Sequence, residues 1–334
     1  MKNGIGSMLI VIGLLGCMAS MPVHDIPRAG SYQVKTDMRA HGLRRSYRVH
    51  VPSGYTGAEA LPLMVVVHGA FSTAREMEKH SGFSELADRE GYFVVYPEGF
   101  GLLGLLQHWN SGHCCGKARK SNLDDVGFIA RVIDDISARF KVDRSRIYMV
   151  GNSNGGMLTY RFAAERSDTV AAIAVVAGAI GGKPSAGEAE WRIPQPARPV
   201  PLTVFHGLSD QAVPYAGGRS LGKRHDRTFV SVGESVAFWV KNNGCVPTPR
   251  RQSLHDGRLT LESWNGCMAD GDVVLYSLAD WGHQWPGKYF TQRLEDQDSL
   301  RGFDAAELIW QFFKRHRRGT AVFGLVLGQF ASRG

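Results

Sequence analysis

Apolar residues along this chain fall into short unbroken runs, separated by stretches whose apolar positions recur three and four residues apart. Residues 63–67 are wholly apolar and bounded by Pro62 and His68-Gly69, which predicts a strand buried on both faces. Residues 92–96, stopped by Pro97, read the same way, as do 146–150, 170–176, 202–205 and 273–278. Residues 47–51 alternate apolar and polar side chains and end at Pro52, which predicts an edge strand. Residues 123–140 carry Val126, Ile129, Ala130, Ile133, Ile136 and Phe140 at helical spacing, and 83–90, 154–166, 229–242 and 305–316 are further predicted helices. Strand and helix alternate. The expected architecture is α/β, a mostly parallel central sheet with helices on both faces. Residues 182–201 are proline-rich, contain Trp191 and lack periodicity; they predict a loop over the site or a small lid.

The length of 334 residues admits one large α/β domain or two smaller ones. The expected division is a signal segment at 1–19, one catalytic domain at 20–316 and a tail at 317–334. The apolar run 321–330 in that tail is too short to span a bilayer. Lys2 followed by the short apolar run 8–16 reads as an export signal. Leu14-Leu15-Gly16-Cys17 resembles a bacterial lipobox, which would make Cys17 a lipid anchor; cleavage after Ala19 is the alternative. Either route predicts an extracellular or periplasmic protein. Export permits disulfides, and four cysteines lie beyond the signal: Cys114, Cys115, Cys245 and Cys267. Cys245 and Cys267 each follow an Asn-Gly turn, and we expect them to pair. Cys114 and Cys115 are then a vicinal bridge or two thiols. No CxxC is present and His108 and His113 lack a second ligand cluster, so neither a metal nor another cofactor is expected. The formal charge is +8. Its basic residues are scattered apart from Lys314, Arg315, Arg317, Arg318 and the pair Arg250 and Arg251 in an expected loop. No zinc-finger or RNP-like pattern accompanies them, so the reading is a solvated basic surface without a nucleic-acid partner. Nothing in the sequence assigns an oligomeric state.

Chemistry enters at Gly151-Asn152-Ser153-Asn154-Gly155, a G-x-S-x-G between a predicted strand and a predicted helix. In that context the pattern is a nucleophile elbow: the glycines permit the sharp turn that lifts the Ser153 hydroxyl out of the sheet. A serine needs a base, and the fold places an acid and then a histidine after it in chain order. Asp210 lies in the loop after the strand at 202–205, with Asp226 and Asp256 as alternatives that follow no buried strand. His283 follows the last strand, between glycine and tryptophan. His68 and His206 end buried strands before glycine and are expected to orient loops; His225, His255 and His316 are expected at the surface. An oxyanion hole is expected from the backbone N–H groups of Asn154 and of Ala70 in the His68-Gly69-Ala70-Phe71 loop, with Phe71 as the neighbouring candidate. Trp109, Tyr215 and Trp285 are candidates for an apolar wall around an acyl group, packing being their other reading.

These segments together resemble the polyhydroxybutyrate-depolymerase-like esterases, related to feruloyl and acetylxylan esterases of the first carbohydrate esterase family. The resemblance is carried by His68-Gly69, Trp109-Asn110, Cys114-Cys115-Gly116, Asp124-Asp125-Val126-Gly127-Phe128, Gly151 to Met157, His206 to Asp210, Val213 to Gly218, and Gly282 to Gly287. It spans about Leu43 to His316 and implies an α/β-hydrolase fold, a secreted hydrolase of carboxylic esters, and Ser153, Asp210 and His283 as its triad. The family often has cysteines where this chain has Ala70 and Ala164; their absence favours the vicinal pair at Cys114 and Cys115. With no substrate-binding module visible, soluble hydroxyalkanoate oligomers, feruloyl esters or acetyl esters are expected over crystalline polymer. The rival readings are a serine peptidase of the same fold, whose usual accessory β-propeller is absent, and a non-catalytic cell-surface binding protein, which has no need of all three triad residues.

Overall fold

The computed structural model describes residues 29–101, 104, 106–221 and 226–319. The expected signal segment with Cys17, and the tail from residue 320, lie outside the described residues. The elements in chain order are β1 (Gly30–Ala40), β2 (Leu43–Val51), β3 (Leu61–Val67), α1 (Ala74–Ser81), α2 (Phe83–Glu90) and β4 (Phe93–Pro97). Then come α3 (Gly116–Lys120), α4 (Asp125–Arg139), β5 (Val142–Asn152), α5 (Asn154–Glu165), β6 (Ala172–Val176), β7 (Gly181–Gly182), β8 (Trp191–Arg192), β9 (Leu202–Gly207), β10 (Gly218–Arg219) and β11 (Thr228–Phe229). The described part closes with α6 (Val232–Asn242), β12 (Arg250–Leu254), β13 (Leu259–Trp264), β14 (Val273–Leu278), α7 (Lys288–Thr291) and α8 (Ala305–Phe313).

Ten strands form one sheet in the order β1-β2-β4-β3-β5-β6-β9-β14-β13-β12. The six from β4 to β14 run parallel, and antiparallel strands flank them at both ends. Alternation along each central strand feeds two cores. In β3, Leu63, Val65 and Val67 pack with Val126, Ile129, Ile133 and Ile136 of α4 and Val236 and Trp239 of α6. Met64 and Val66 point the other way, into the cluster of Met77, Phe83, Leu86, Ile309 and Phe313 from α1, α2 and α8. Burying each such side chain contributes about 1.5–3 kcal/mol, which is why these runs are strands without polar positions. Helix α4 starts where Asp124 caps it by accepting from the Gly127 amide at 2.7 Å.

Three expectations need correction. The strand at Tyr47 is not at the edge: β1 pairs with its outer side and β4 with its inner side. Arg250 and Arg251 lie in a strand, β12, which is the opposite edge. His316 is buried, its ring against Phe312, rather than at the surface. Segment 182–201 is closed by the small β7–β8 ribbon. Its Trp191 stacks on His113 and lies under the Arg161 guanidinium, so the segment is pinned to the loop at 110–115. Among the described residues no helix is long and apolar enough to cross a membrane.

Candidate active site

Ser153 stands between the last residue of β5 and the first of α5, with φ 55° and ψ −120°. A side chain in that conformation is strained, and the surroundings hold it there. The Ser153 amide donates to the Val176 carbonyl at 2.8 Å. A Cβ at Gly155 would strike the carbonyls of Val67 and His68, and one at Gly151 would strike the Gly155 carbonyl. Both glycines of the motif are thus required by the closeness of β3, β5 and α5.

His283 and Asp210 arrive from adjacent strands. β9 and β14 are neighbours in parallel register, Gly207 opposite Leu278, so the loops that follow them emerge side by side. They are tied by hydrogen bonds from Leu208 to Leu278 and from Ser209 to Trp281. His283 Nε2 lies 2.8 Å from Ser153 Oγ, and its Nδ1 lies 2.7 Å from Asp210 Oδ2. Asp210 Oδ1 accepts from the amides of Ala212 and Val213 at 2.8 and 2.9 Å. His206 Nε2 donates to the Val213 carbonyl at 2.9 Å and lies 3.3 Å from Asp210 Oδ2. Burial alone would raise the Asp210 carboxyl, but the contacts to His206, His283 and the Val213 amide outweigh it and hold the group well below the usual carboxylate range. Asp210 is therefore an anion against the imidazole. The alternatives Asp226 and Asp256 are not at the site: Asp226 is exposed and bonded to Arg219, and Asp256 lies in the exposed turn between β12 and β13.

The loop after β3 closes over the same point. His68 Nδ1 contacts the Gly69 carbonyl at 2.7 Å and its Nε2 accepts from the Gly99 amide at 3.0 Å; burial pushes this ring down to about 4, so it is neutral and orients the loop. The Phe71 amide is committed to the Gln107 carbonyl at 2.8 Å. The amides of Ala70 and Asn154 make no hydrogen bond within the described residues, which leaves this pair as the candidate oxyanion donors. The Asn154 side chain clamps the Trp109 backbone, accepting from its amide at 2.8 Å and donating to its carbonyl at 3.1 Å. Sequence reasoning missed that clamp.

A cleft of about 350 Å³ opens over Ser153 and His283. Larger grooves of about 730 and 650 Å³ lie along β1–β2 and beside residues 294–299, and hold neither of these groups. Met157, Val213, Phe229 and the Cys114–Cys115 pair form the apolar side of the cleft, with Ala70, Phe71, His108 and Arg227 also lining it. The expected wall of Trp109, Tyr215 and Trp285 is not there. Trp109 is fully buried, its Nε1 donating to the His68 carbonyl at 2.9 Å and its ring beside Phe128. Trp285 packs on Phe83 in the opposite core, and the Tyr215 hydroxyl bonds Ser277 Oγ at 2.7 Å. Their large apolar areas are used in packing, and smaller side chains line the cleft. The sulfurs of Cys245 and Cys267 are joined, and so are those of Cys114 and Cys115.

Comparison with known proteins places this arrangement. The family described as Esterase PHB depolymerase matches residues 45–216, more than half of the chain. The protein NocK of Nocardia uniformis subsp. tsuyamanensis is 30% identical over 285 residues, covering 81% of this chain and 79% of that one. Feruloyl esterase B of Piromyces equi is 31% identical over 246 residues, covering 72% of this chain and 42% of its own. This chain thus spans less than half of that relative. The solved ferulic acid esterase of Anaeromyces mucronatus superposes with a TM-score of 0.55 at 12% identity, over 88% of this chain and 92% of that one; at this identity the likeness concerns the fold. The chain has the α/β-hydrolase fold, belongs to the PHB depolymerase esterase family and is a carboxylic ester hydrolase.

Proposed function

We propose that the protein is an exported serine esterase that works through a covalent acyl-enzyme on Ser153. The observation that carries the reading is the unbroken chain of contacts from Ser153 Oγ through both nitrogens of His283 to the ionised Asp210. Ser153 Oγ attacks the ester carbonyl carbon while His283 Nε2 takes the hydroxyl proton. The imidazolium that forms is stabilised by Asp210. Negative charge on the carbonyl oxygen is met by the N–H groups of Ala70 and Asn154 at the start of α5. Collapse of that intermediate breaks the bond to the alcohol oxygen, which leaves with the proton from His283. Water then repeats the sequence: it attacks the acyl carbon, gives its proton to His283, and Ser153 recovers that proton as the acid departs.

The catalytic unit is residues 20–316. Export rests on the sequence pattern of residues 1–19, by lipidation of Cys17 or by cleavage after Ala19, and mass spectrometry of the mature N-terminus distinguishes them. The substrates are soluble hydroxyalkanoate oligomers, feruloyl esters or acetyl esters, which enter a cleft with an apolar side. The Ser153→Ala variant should lose p-nitrophenyl butyrate hydrolysis by at least about 10³-fold while keeping the wild-type melting temperature. The wild type should be labelled at Ser153 by a fluorophosphonate. A variant that keeps most of its activity, or a folded wild type that resists labelling, would sink this reading.

A further inference from the structure

Arg227 immediately precedes β11 and lines the cleft together with Ser153 and His283. Among the described residues its hydrogen bond runs from Nη1 to Cys115 Sγ at 3.6 Å, a weak acceptor. Its Nε is buried without a partner. Among the described residues no carboxylate forms an ion pair with it. The adjacent Asp226 is bonded to Arg219. Glu188, whose charge favours the Arg227 cation, is held by Arg119.

The rest of the surroundings adds positive charge or none. Burial first, and then the Arg119 charge, press the Arg227 guanidinium below its ordinary value. His108 lines the same cleft and His113 lies fully buried close by. Burial lowers both rings, and Arg227 lowers them further. The remaining neighbours in the cleft are apolar, except for Ser220, whose hydroxyl is spent on the Ala212 carbonyl. A guanidinium held among apolar groups with an idle donor is costly. An anion entering the cleft would neutralise its charge and take the terminal nitrogens, whose planar fork matches a carboxylate.

We propose that Arg227 receives a carboxylate of the substrate, so that the preferred esters carry a free carboxylate a few bonds from the scissile carbonyl. This rests on the serine-esterase reading above and narrows it. Among the substrate classes considered there, an oligomer of hydroxy acids ends in such a carboxylate, whereas acetyl and feruloyl esters of neutral sugars do not. The carboxylate sits either on the alcohol side of the ester, as in an oligomer, or on the acyl side, as in a half-ester of a dicarboxylic acid.

Two matched pairs separate these cases. 3-Acetoxybutyrate against 3-acetoxybutyramide varies the alcohol side. The p-nitrophenyl esters of glutaric acid and of glutaramic acid vary the acyl side. In the wild type, kcat/KM should favour the carboxylate by about ten- to a hundredfold in at least one pair. Arg227→Gln should bring that ratio to about one, and Arg227→Lys should retain part of it, with fluorophosphonate labelling of Ser153 reporting that each variant keeps a working site. Turnover of the neutral esters with no carboxylate preference, or a preference that Arg227→Gln leaves intact, overturns this proposal and spares the esterase reading. Failure of the wild type to turn over any of the four overturns both.

Discussion

Replacing Asp210 by asparagine exchanges one oxygen for an amino group and tests how His283 is held. The carboxylate now faces four donors: the amides of Ala212 and Val213 on Oδ1, and His283 and His206 on the side of Oδ2. An amide side chain has one acceptor oxygen and one donor nitrogen. If that oxygen turned toward His283, the NH₂ would confront the two backbone amides and leave both unpaired, at about 1–3 kcal/mol each. The favoured rotamer therefore keeps the oxygen on Ala212 and Val213 and sets the NH₂ against His283 Nδ1. The imidazole then accepts at Nδ1 and carries its proton on Nε2, the atom 2.8 Å from Ser153 Oγ. In that tautomer it cannot take the hydroxyl proton. The cost of the wrong tautomer in a serine–histidine–acid site is about 10⁴ in kcat, or about 5.4 kcal/mol of barrier. Steady-state hydrolysis of p-nitrophenyl butyrate at neutral pH, with near-UV circular dichroism to verify packing, measures it. Asp210→Asn activity within about tenfold of the wild type would refute the reasoning, because His283 would then be oriented without the carboxylate.

The same carboxyl predicts a pH signature. Its folded value lies below the unfolded value of about 3.9, so ionised Asp210 stabilises the folded chain at neutral pH, and that contribution is lost as pH falls from about 4 through the lower folded value. The wild type should lose more melting temperature than Asp210→Asn over that acid range; parallel slopes would contradict this. Trp109→Ala removes a fully buried indole and should destabilise the fold by about 3–5 kcal/mol. The milder Trp109→Phe should lower kcat more than it raises KM for a short ester, since the indole Nε1 it removes holds the His68 carbonyl at the start of the loop that carries Ala70; a change confined to KM would restore the wall reading. Replacing Cys245 and Cys267 by serine opens a loop of sequence separation 22 and should cost about 3 kcal/mol, visible as a melting point lowered by several degrees and insensitive to reductant.

How much was legible followed the distribution of burial. The six central parallel strands are buried on both faces, so their sequences are apolar runs between turn residues and could be read directly. Both edges escaped. β1 alternates exposed Lys35, Asp37 and Arg39 with Tyr32, Val34 and Met38, which pack on the core, a period-two signal that charged neighbours and a half-buried inner face weaken; β12 is almost wholly exposed and is held by backbone pairing, which leaves no hydrophobic period. Helix α1 was missed because Ala74 and Met77 are its only apolar residues, although the capping box of Thr73 and Glu76 was an available signal.

The order of chemistry along the chain was set by local sequence: a serine flanked by glycines that the packing of β3, β5 and α5 makes obligatory, an aspartate after one buried strand and a histidine after another. Each is a short-range pattern, because turn geometry and strand burial depend on neighbours a few residues away. What the cleft is made of depended on the tertiary structure. Cys114, Met157, Val213 and the neighbours Arg227 and Phe229 come from four separate segments, and no spacing in the chain relates those segments. Only sheet order brings β5, β9 and β14 to one end with β6 between the first two, and only packing decided that Trp109 and Trp285 go into the core while an arginine with no ion pair among the described residues lines the cleft over the serine.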